Sequence, residues 1–345
     1  SDDQFTYTVL NKRWSRTDFS NLTKDEVIFA QYEIRNTKNR YNITFDSNGG
    51  SEVAPIEFEY GTKFAEAFPV PEKPGCGFLQ WYLDENLTEI YTKDYVFTTA
   101  KTLYARWAED NHADKTPYTF TLKDNGYEIT SVNADAITQS MNLPTVYNGR
   151  AVYRVGDYAF RLTSVLEEIT LPESIISLGR GCFSGFDVET SLKKVIFTGT
   201  GLREIPQDAF YNCENLEEIN IPSTVTHIQD NAFYGCVNLN EVDFGNKSNL
   251  YYVGMRAFYN CSALTEFRFL LEYENVPKDT AINIYDEAFY GCDSLESMYF
   301  YYPFPPYVEG NNALPYEMTV YVKPAALQFY AFALSGKVTA VDTFQ

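Results

Sequence analysis

Ile205-Pro206-Gln207-Asp208-Ala209-Phe210-Tyr211-Asn212-Cys213-Glu214-Asn215-Leu216-Glu217-Glu218-Ile219-Asn220-Ile221-Pro222 decides how most of this chain folds. Its closing Leu-x-x-Ile-x-Ile alternates apolar and polar residues with the period of a strand that turns one face inward, and Pro222 then stops it. The preceding Ile-x-x-x-Ala-Phe has closer to helical spacing, which predicts a helical or 3₁₀ turn in which Ala allows tight packing and Phe fills the interior. The pattern recurs at Ala232-Phe233 with Cys236, Ala257-Phe258 with Cys261, and Ala288-Phe289 with Cys292. In these copies Leu239, Leu264 and Leu295 follow the Cys, and Val242/Phe244, Phe267/Phe269 and Met298/Phe300 supply the alternating pair. Two earlier copies start at Ala159-Phe160, with Thr163 at the Cys position, and at Cys182-Phe183, with three extra residues near 187–190. The marker phenylalanines fall at 160, 183, 210, 233, 258 and 289, a basic period of 23 whose excess sits in polar stretches such as 245–250 and 271–280. A single coil of this kind cannot bury its own apolar face, but stacked coils can, with insertions forming loops on one edge.

These residues resemble the BspA-like leucine-rich repeat, Ile-x-x-x-Ala-Phe-x-x-Cys-x-x-Leu-x-x-Ile-x-Ile-Pro, which residues 205–222 match throughout. Residues 118–121 and 127–131, with Asn148-Gly149-Arg150-Ala151-Val152, look like the hairpin and lead-in that open such an array. Thr319-Val320-Tyr321-Val322-Lys323-Pro324, followed by Leu327 and Tyr330, resembles its closing strand and cap. The resemblance covers residues 115–345 and implies a solenoid with a parallel sheet and short helical or 3₁₀ turns.

Residues 41–108 have another grammar. Strand-like stretches are separated by Asn48-Gly49-Gly50 and Pro74-Gly75 turns, with Phe78, Trp81-Tyr82 and Leu103-Tyr104-Ala105-Arg106-Trp107 supplying aromatics to a small, mostly β module. This resembles the Listeria-Bacteroides repeat, the internalin B-type B-repeat, and implies a β-grasp-like fold. Val27-Ile28-Phe29-Ala30-Gln31-Tyr32 looks like a second copy of the 103–107 ending, and Trp14 echoes Trp81, so residues 1–40 read as the tail of a preceding module. Residues 109–116 are polar without apolar periodicity and read as a linker, followed by the repeat domain at 117–345.

Length agrees with this division, since 345 residues suggest two domains. Lys plus Arg number 27 against 47 Asp plus Glu, a net charge of -20 that repels nucleic-acid phosphates and anionic membrane surfaces. Hydrophobic residues at 45% and aromatics at 17% are too many for a disordered acidic chain. Six Cys are too few for a disulfide scaffold, and His112 and His227 alone make a poor inventory for a metal centre or a catalytic triad. No stretch approaches the ~20 apolar residues of a membrane span. The start Ser1-Asp2-Asp3, with neither initiator Met nor signal peptide, suggests a processed or engineered fragment.

The Cys ladder reads as buried small hydrophobes, as does Cys76, and the Tyr ladder at 211, 234, 259 and 290 reads as a packing stripe, with a sugar platform as the sharper alternative. Residues between the inward strand positions must face outward. That places Glu168 and Thr170, Lys194 and Ile196, Glu218 and Asn220, Glu241 and Asp243, Glu266 and Arg268, and Ser297 and Tyr299 on one exposed sheet. At the ~4.8 Å strand spacing, Glu218, Glu241 and Glu266 should form an acidic column. Three explanations compete for it: a solvated face, a recognition surface for a basic partner assisted by a cation such as Ca²⁺, or a carboxylate pair at glycosidase spacing on a face too flat to raise a pKa. No phosphate loop, nucleophile elbow or zinc spacing adds to the catalytic option. The aromatic run at 299–307 either covers the last coil beneath the cap or exposes rings as contact anchors.

Both resemblances imply a non-catalytic, adhesin-like protein of the bacterial surface or medium, binding host or bacterial surface proteins or glycans without a cofactor. The alternatives are a structural spacer displaying another domain and, remotely, a glycan-active enzyme.

Overall fold

Alternation of buried and half-buried side chains, with every second residue from Glu168 to Leu171 turned inward, is repeated coil after coil and sets the architecture. The structure is a computed structural model and describes residues 5–14, 30–123, 126–186, 189–271, 281–310, 312–315, 318–333 and 337–340. It divides into two compact units, Ser1–Lys73 with Gln80–Arg106, and Pro74–Leu79 with Trp107–Gln345.

In the first unit, strands Phe5–Trp14 and Ala30–Lys38 form an antiparallel pair. Arg40–Asp46 pairs antiparallel with Ile56–Glu59 and parallel with Lys101–Glu109. The unit is filled by rings: Phe58, Phe68, Trp81, Tyr82 and Phe97 are buried beside Ile43 and Leu103. The resemblance between residues 27–32 and the 103–107 ending falls partly on residues outside those described, Val27, Ile28 and Phe29 among them.

The second unit opens with the hairpin Tyr118–Lys123 and Gly126–Val132, onto which Arg150–Val155 adds in parallel. Beyond it each coil contributes to two parallel sheets. One holds Ser140–Asn142, Glu168–Leu171, Lys194–Phe197, Glu218–Asn220 and Glu241–Asp243, and a further sheet holds Glu266–Phe269, Ser297–Phe300, Thr319–Val322 and Lys337–Ala340. On another side of the coil lie the two-residue strands Glu204–Ile205, His227–Ile228, Tyr252–Val253, Asn283–Ile284 and Tyr307–Val308. The repeat pattern predicts one strand per coil; the second strand is two residues long, too short to show a period in the sequence.

At the Ala-Phe segments the expected turns take the 3₁₀-type form and stop short of a helix. Ala209, Tyr211 and Cys213 donate 3₁₀-type bonds to Pro206, Asp208 and Phe210, at 3.2, 3.0 and 3.1 Å. Asp208 and Asn212, however, have φ of 59° and 54°, and a left-handed residue at each corner breaks the helix before it can propagate. At Gly235 and Gly291, with φ of 72° and 75°, a Cβ would strike the amide oxygen of Asn212 or Asn260 in the coil before, so glycine is required twice over. Insertion residues 187–188 and 272–280 lie outside the described residues.

The interior consists of ladders. Phe210, Phe233, Phe258 and Phe289 are fully buried and stack on their own copies. The Cys213, Cys236, Cys261 and Cys292 thiols donate to the carbonyls of Phe183, Phe210, Phe233 and Phe258 at 3.1 to 3.2 Å. Burial pushes the Cys213 thiol up to about 12 and holds Cys182, Cys236 and Cys261 well above the usual thiol range. Cys213, Cys236, Cys261 and Cys292 are thus buried, hydrogen-bonded packing groups, in an environment that disfavours the thiolate. Thr163, at the Cys position of the first coil, donates instead to Phe160, at 2.7 Å. In the aromatic run, Phe300 and Tyr302 are buried while Phe304 and Tyr307 are exposed, and the Tyr330 hydroxyl of the C-terminal helix Leu327–Ala333 donates to Tyr302 and Phe304 carbonyls. Phe300 and Tyr302 thus cover the last coil, while Phe304 and Tyr307 expose their rings. No helix among the described residues is long and apolar enough to cross a membrane.

Candidate interaction face

Parallel register places the outward residues in two rows. The first runs Ser140, Glu168, Lys194, Glu218, Glu241, and the second runs Asn142, Thr170, Ile196 toward Asn220 and Asp243. Glu218 and Glu241 are direct neighbours, as the repeat spacing requires. Glu266 is not the third member of the column. Its strand pairs with Ser297–Phe300 in a different sheet, and the ladder is interrupted after Asp243. The reason is local: the chain turns at Gly245, whose N–H binds the Asp243 carboxylate at 2.7 Å, and Val242 is only half-buried where its counterparts in other coils are fully buried.

Opposite charges also intervene. The Lys194 ammonium forms an ion pair with Glu218 and lies above its usual range, held there chiefly by that bond, with the Glu168 and Glu241 carboxylates adding to it. Glu266 binds Arg268 at 2.8 Å within its own strand. The face is therefore of mixed sign: of the expected acidic column only Glu218 and Glu241 adjoin, Glu218 is paired with Lys194, and neither Glu241 nor its strand neighbour Asp243 makes an ion pair among the described residues.

Between these rows lies a shallow depression of about 220 Å³, lined by Lys194, Ile196, Glu218, Asn220, Glu241 and Asp243. Asn220 accounts for it. Its amide accepts from Phe197 N–H at 2.9 Å and donates to Phe197 carbonyl at 2.8 Å, so a side chain replaces the ladder and the two strands part. Strand pairing here ends at Val195 and Ile219. No group of three His, Cys, Asp or Glu able to hold a metal ion occurs among the described residues, so the cation reading finds no ligand set.

Arg268 and Tyr299 lie in the second sheet, away from the depression. The Arg268 guanidinium sits 4.9 Å from the Tyr299 ring centre, and Tyr299 stacks on Tyr321 at 4.8 Å. Tyr321 was not among the expected face residues; its place one strand beyond Tyr299 in a Thr-Val-Tyr-Val alternation was the available signal. The nine expected residues thus fall into two groups: Glu168, Lys194, Glu218, Asn220, Glu241 and Asp243 together, and Glu266, Arg268 and Tyr299 together.

Residues 130–265 match the model of the BspA type leucine-rich repeat region, in six copies, and residues 41–106 match that of the Listeria-Bacteroides repeat domain. Among curated proteins, one of Evansella cellulosilytica named as a candidate membrane protein is 38% identical over 105 residues, 30% of this chain and 15% of its own length. A second from the same organism, named as a candidate Gly-rich membrane protein, is 39% identical over 100 residues, 29% of this chain and 11% of its own. The chain thus spans well under a fifth of either relative. A leucine-rich repeat protein of T. pallidum aligns over 66% of this chain and 99% of its own, at 23% identity and a TM-score of 0.49. One from Bacteroides capillosus aligns over 38% and 96%, at 26% identity and 0.31. This chain carries a Listeria-Bacteroides repeat domain at residues 41–106, followed by a BspA-type leucine-rich repeat region at residues 130–265.

Proposed function

We propose that this is a non-catalytic, adhesin-like interaction protein, at the bacterial cell surface or secreted, that engages a host or bacterial surface partner through the outward face of its repeat sheet. In this reading residues 41–108 and 117–345 are separate modules joined by 109–116. The observation that carries it is the depression beside Asn220, where the sheet parts and presents Glu241 and Asp243 without an ion pair among the described residues while Lys194 pairs with Glu218. Such a surface suits a partner bringing a basic group to Glu241 and Asp243, since that group can pair with them without first breaking an internal ion pair. The non-catalytic reading is supported by the openness of the depression: nothing encloses its carboxylates to exclude water.

The test is a binding screen of the full chain against host matrix proteins and glycan arrays, followed by Glu241→Lys with Asp243→Lys. Loss of binding with an unchanged unfolding midpoint is expected. A folded double variant that binds its partner with undiminished affinity rejects this face as the site.

A further inference from the structure

The repeat ends one turn short, and the shortfall leaves a notch. Nine residues separate Ala209 from Glu218, Ala232 from Glu241, Ala257 from Glu266 and Ala288 from Ser297. The next coil begins at Ala313, whose carbonyl accepts the Phe289 N–H at 3.1 Å as that of Ala288 accepts the Phe258 N–H at 2.8 Å. Its strand starts at Thr319, the register partner of Ser297, only six residues on. The residues that would form a Cys turn are missing from this coil. Beside the Cys292 turn the shortened coil leaves an open notch of about 850 Å³.

The outer ring ladder ends at the same place. Phe186, Tyr211, Tyr234, Tyr259 and Tyr290 stack in order, with separations from 4.2 to 5.2 Å. By register the position after Tyr290 belongs to Pro315, the ring ladder ends at Tyr290 among the described residues, and Tyr290 is 46% exposed at the wall of the notch. Around it are Asp293, Glu296, Asn260 and Asn312, all exposed, with Leu314 and Pro315 on the apolar side. No Lys or Arg is among the described residues that line the notch.

We propose that this notch is a carbohydrate subsite, taking a neutral pyranose with one face against Tyr290 and its hydroxyls on Asp293, Glu296 and the two amides. The chemistry selects the class. A pyranose offers a flat C–H face to a ring, donors to carboxylates and acceptors to amides. Two carboxylates with no cation disfavour phosphate or sulfated ligands, and the polar, open walls give an aliphatic ligand little to bury. The site is independent of the sheet face, since it uses none of the same residues.

The experiment is an amide NMR titration of the full chain with maltotetraose, cellotetraose and chitotriose, beside a sulfated oligosaccharide and an Arg-rich peptide. Saturable binding of a neutral saccharide is expected, about tenfold or more weaker in Tyr290→Ala and retained within about threefold in Tyr290→Phe, which keeps the ring. Asp293→Asn with Glu296→Gln should weaken it, while Glu241→Lys should leave it unchanged, which separates failure here from failure of the sheet-face reading. No neutral saccharide binding up to about 10 mM, equal binding by Tyr290→Ala, or selective binding of the peptide each overturns the proposal.

Discussion

Marker rings of successive coils from Phe183 to Phe289 lie flat on one another, whereas rings in the N-terminal unit meet tilted or edge to face. Phe233 is 5.1 Å from Phe210 and 5.0 Å from Phe258 at interplanar angles of 11° and 7°. Phe97 meets Phe64 at 83° and Tyr95 at 76°. Aromatic pairs prefer offset or edge-on arrangements when their positions are free. In the solenoid they are not free: each coil is the previous one translated by the strand spacing of about 4.8 Å, and identical rotamers must follow. Repetition dictates the geometry there, and local packing dictates it in the first unit.

The largest test of this contrast is Phe233→Ala. Removing a fully buried ring should cost about 3 to 5 kcal/mol in urea unfolding, comparable to Phe97→Ala in the other unit. The pattern should differ: amide exchange protection should fall symmetrically in the coils on either side of Phe233, because a coil contacts only its neighbours. Confinement of the effect to one side would break the translational picture.

Alkaline titration comes next. The Cys213 pKa is raised from 9.0 toward 12 by burial, so the folded state keeps a proton that the unfolded chain has released. Stability from this group is complete below pH 9 and falls as pH rises toward 12, by about 1.4 kcal/mol per pH unit for each such thiol. The N-terminal unit, Ser1–Lys73 with Gln80–Arg106, contains no Cys and should show no thiol-linked slope. Equal slopes in denaturant midpoints for Cys213→Ala and the unchanged chain would sink this account.

Cys236→Ala should cost less at neutral pH, about 1 to 2 kcal/mol, since it loses one sulfur's packing and a thiol bond to a carbonyl that also accepts the Cys213 N–H. The smallest effect belongs to Lys194→Ala on the exposed face. Its ion pair with Glu218 is solvent-screened, and the unfolding midpoint should not move measurably.

How far the sequence reached is clearest at particular residues. The inward Ile219 and Val195 and the Glu218 to Glu241 adjacency followed from a period of two and a repeat of 23. Glu266 did not follow, because a spacing rule assumes an unbroken ladder and says nothing of where turn residues such as Gly245 end it. Left-handed corners at Asp208 and Asn212 were equally hidden, since helical spacing between Ile205 and Phe210 is also satisfied by two tight turns.

The sequence by itself determined that coils stack, which side chains enter the core and that the exposed strands carry charge, because apolar periodicity and repetition leave few ways to bury those residues. Only the tertiary structure decided which charges meet. Lys194 neutralises Glu218, Asn220 replaces part of a backbone ladder, and Ala313 begins a coil too short to continue the Tyr ladder. Those outcomes depend on register between coils and on hydrogen bonds a few ångströms long, which are properties of neighbours in space.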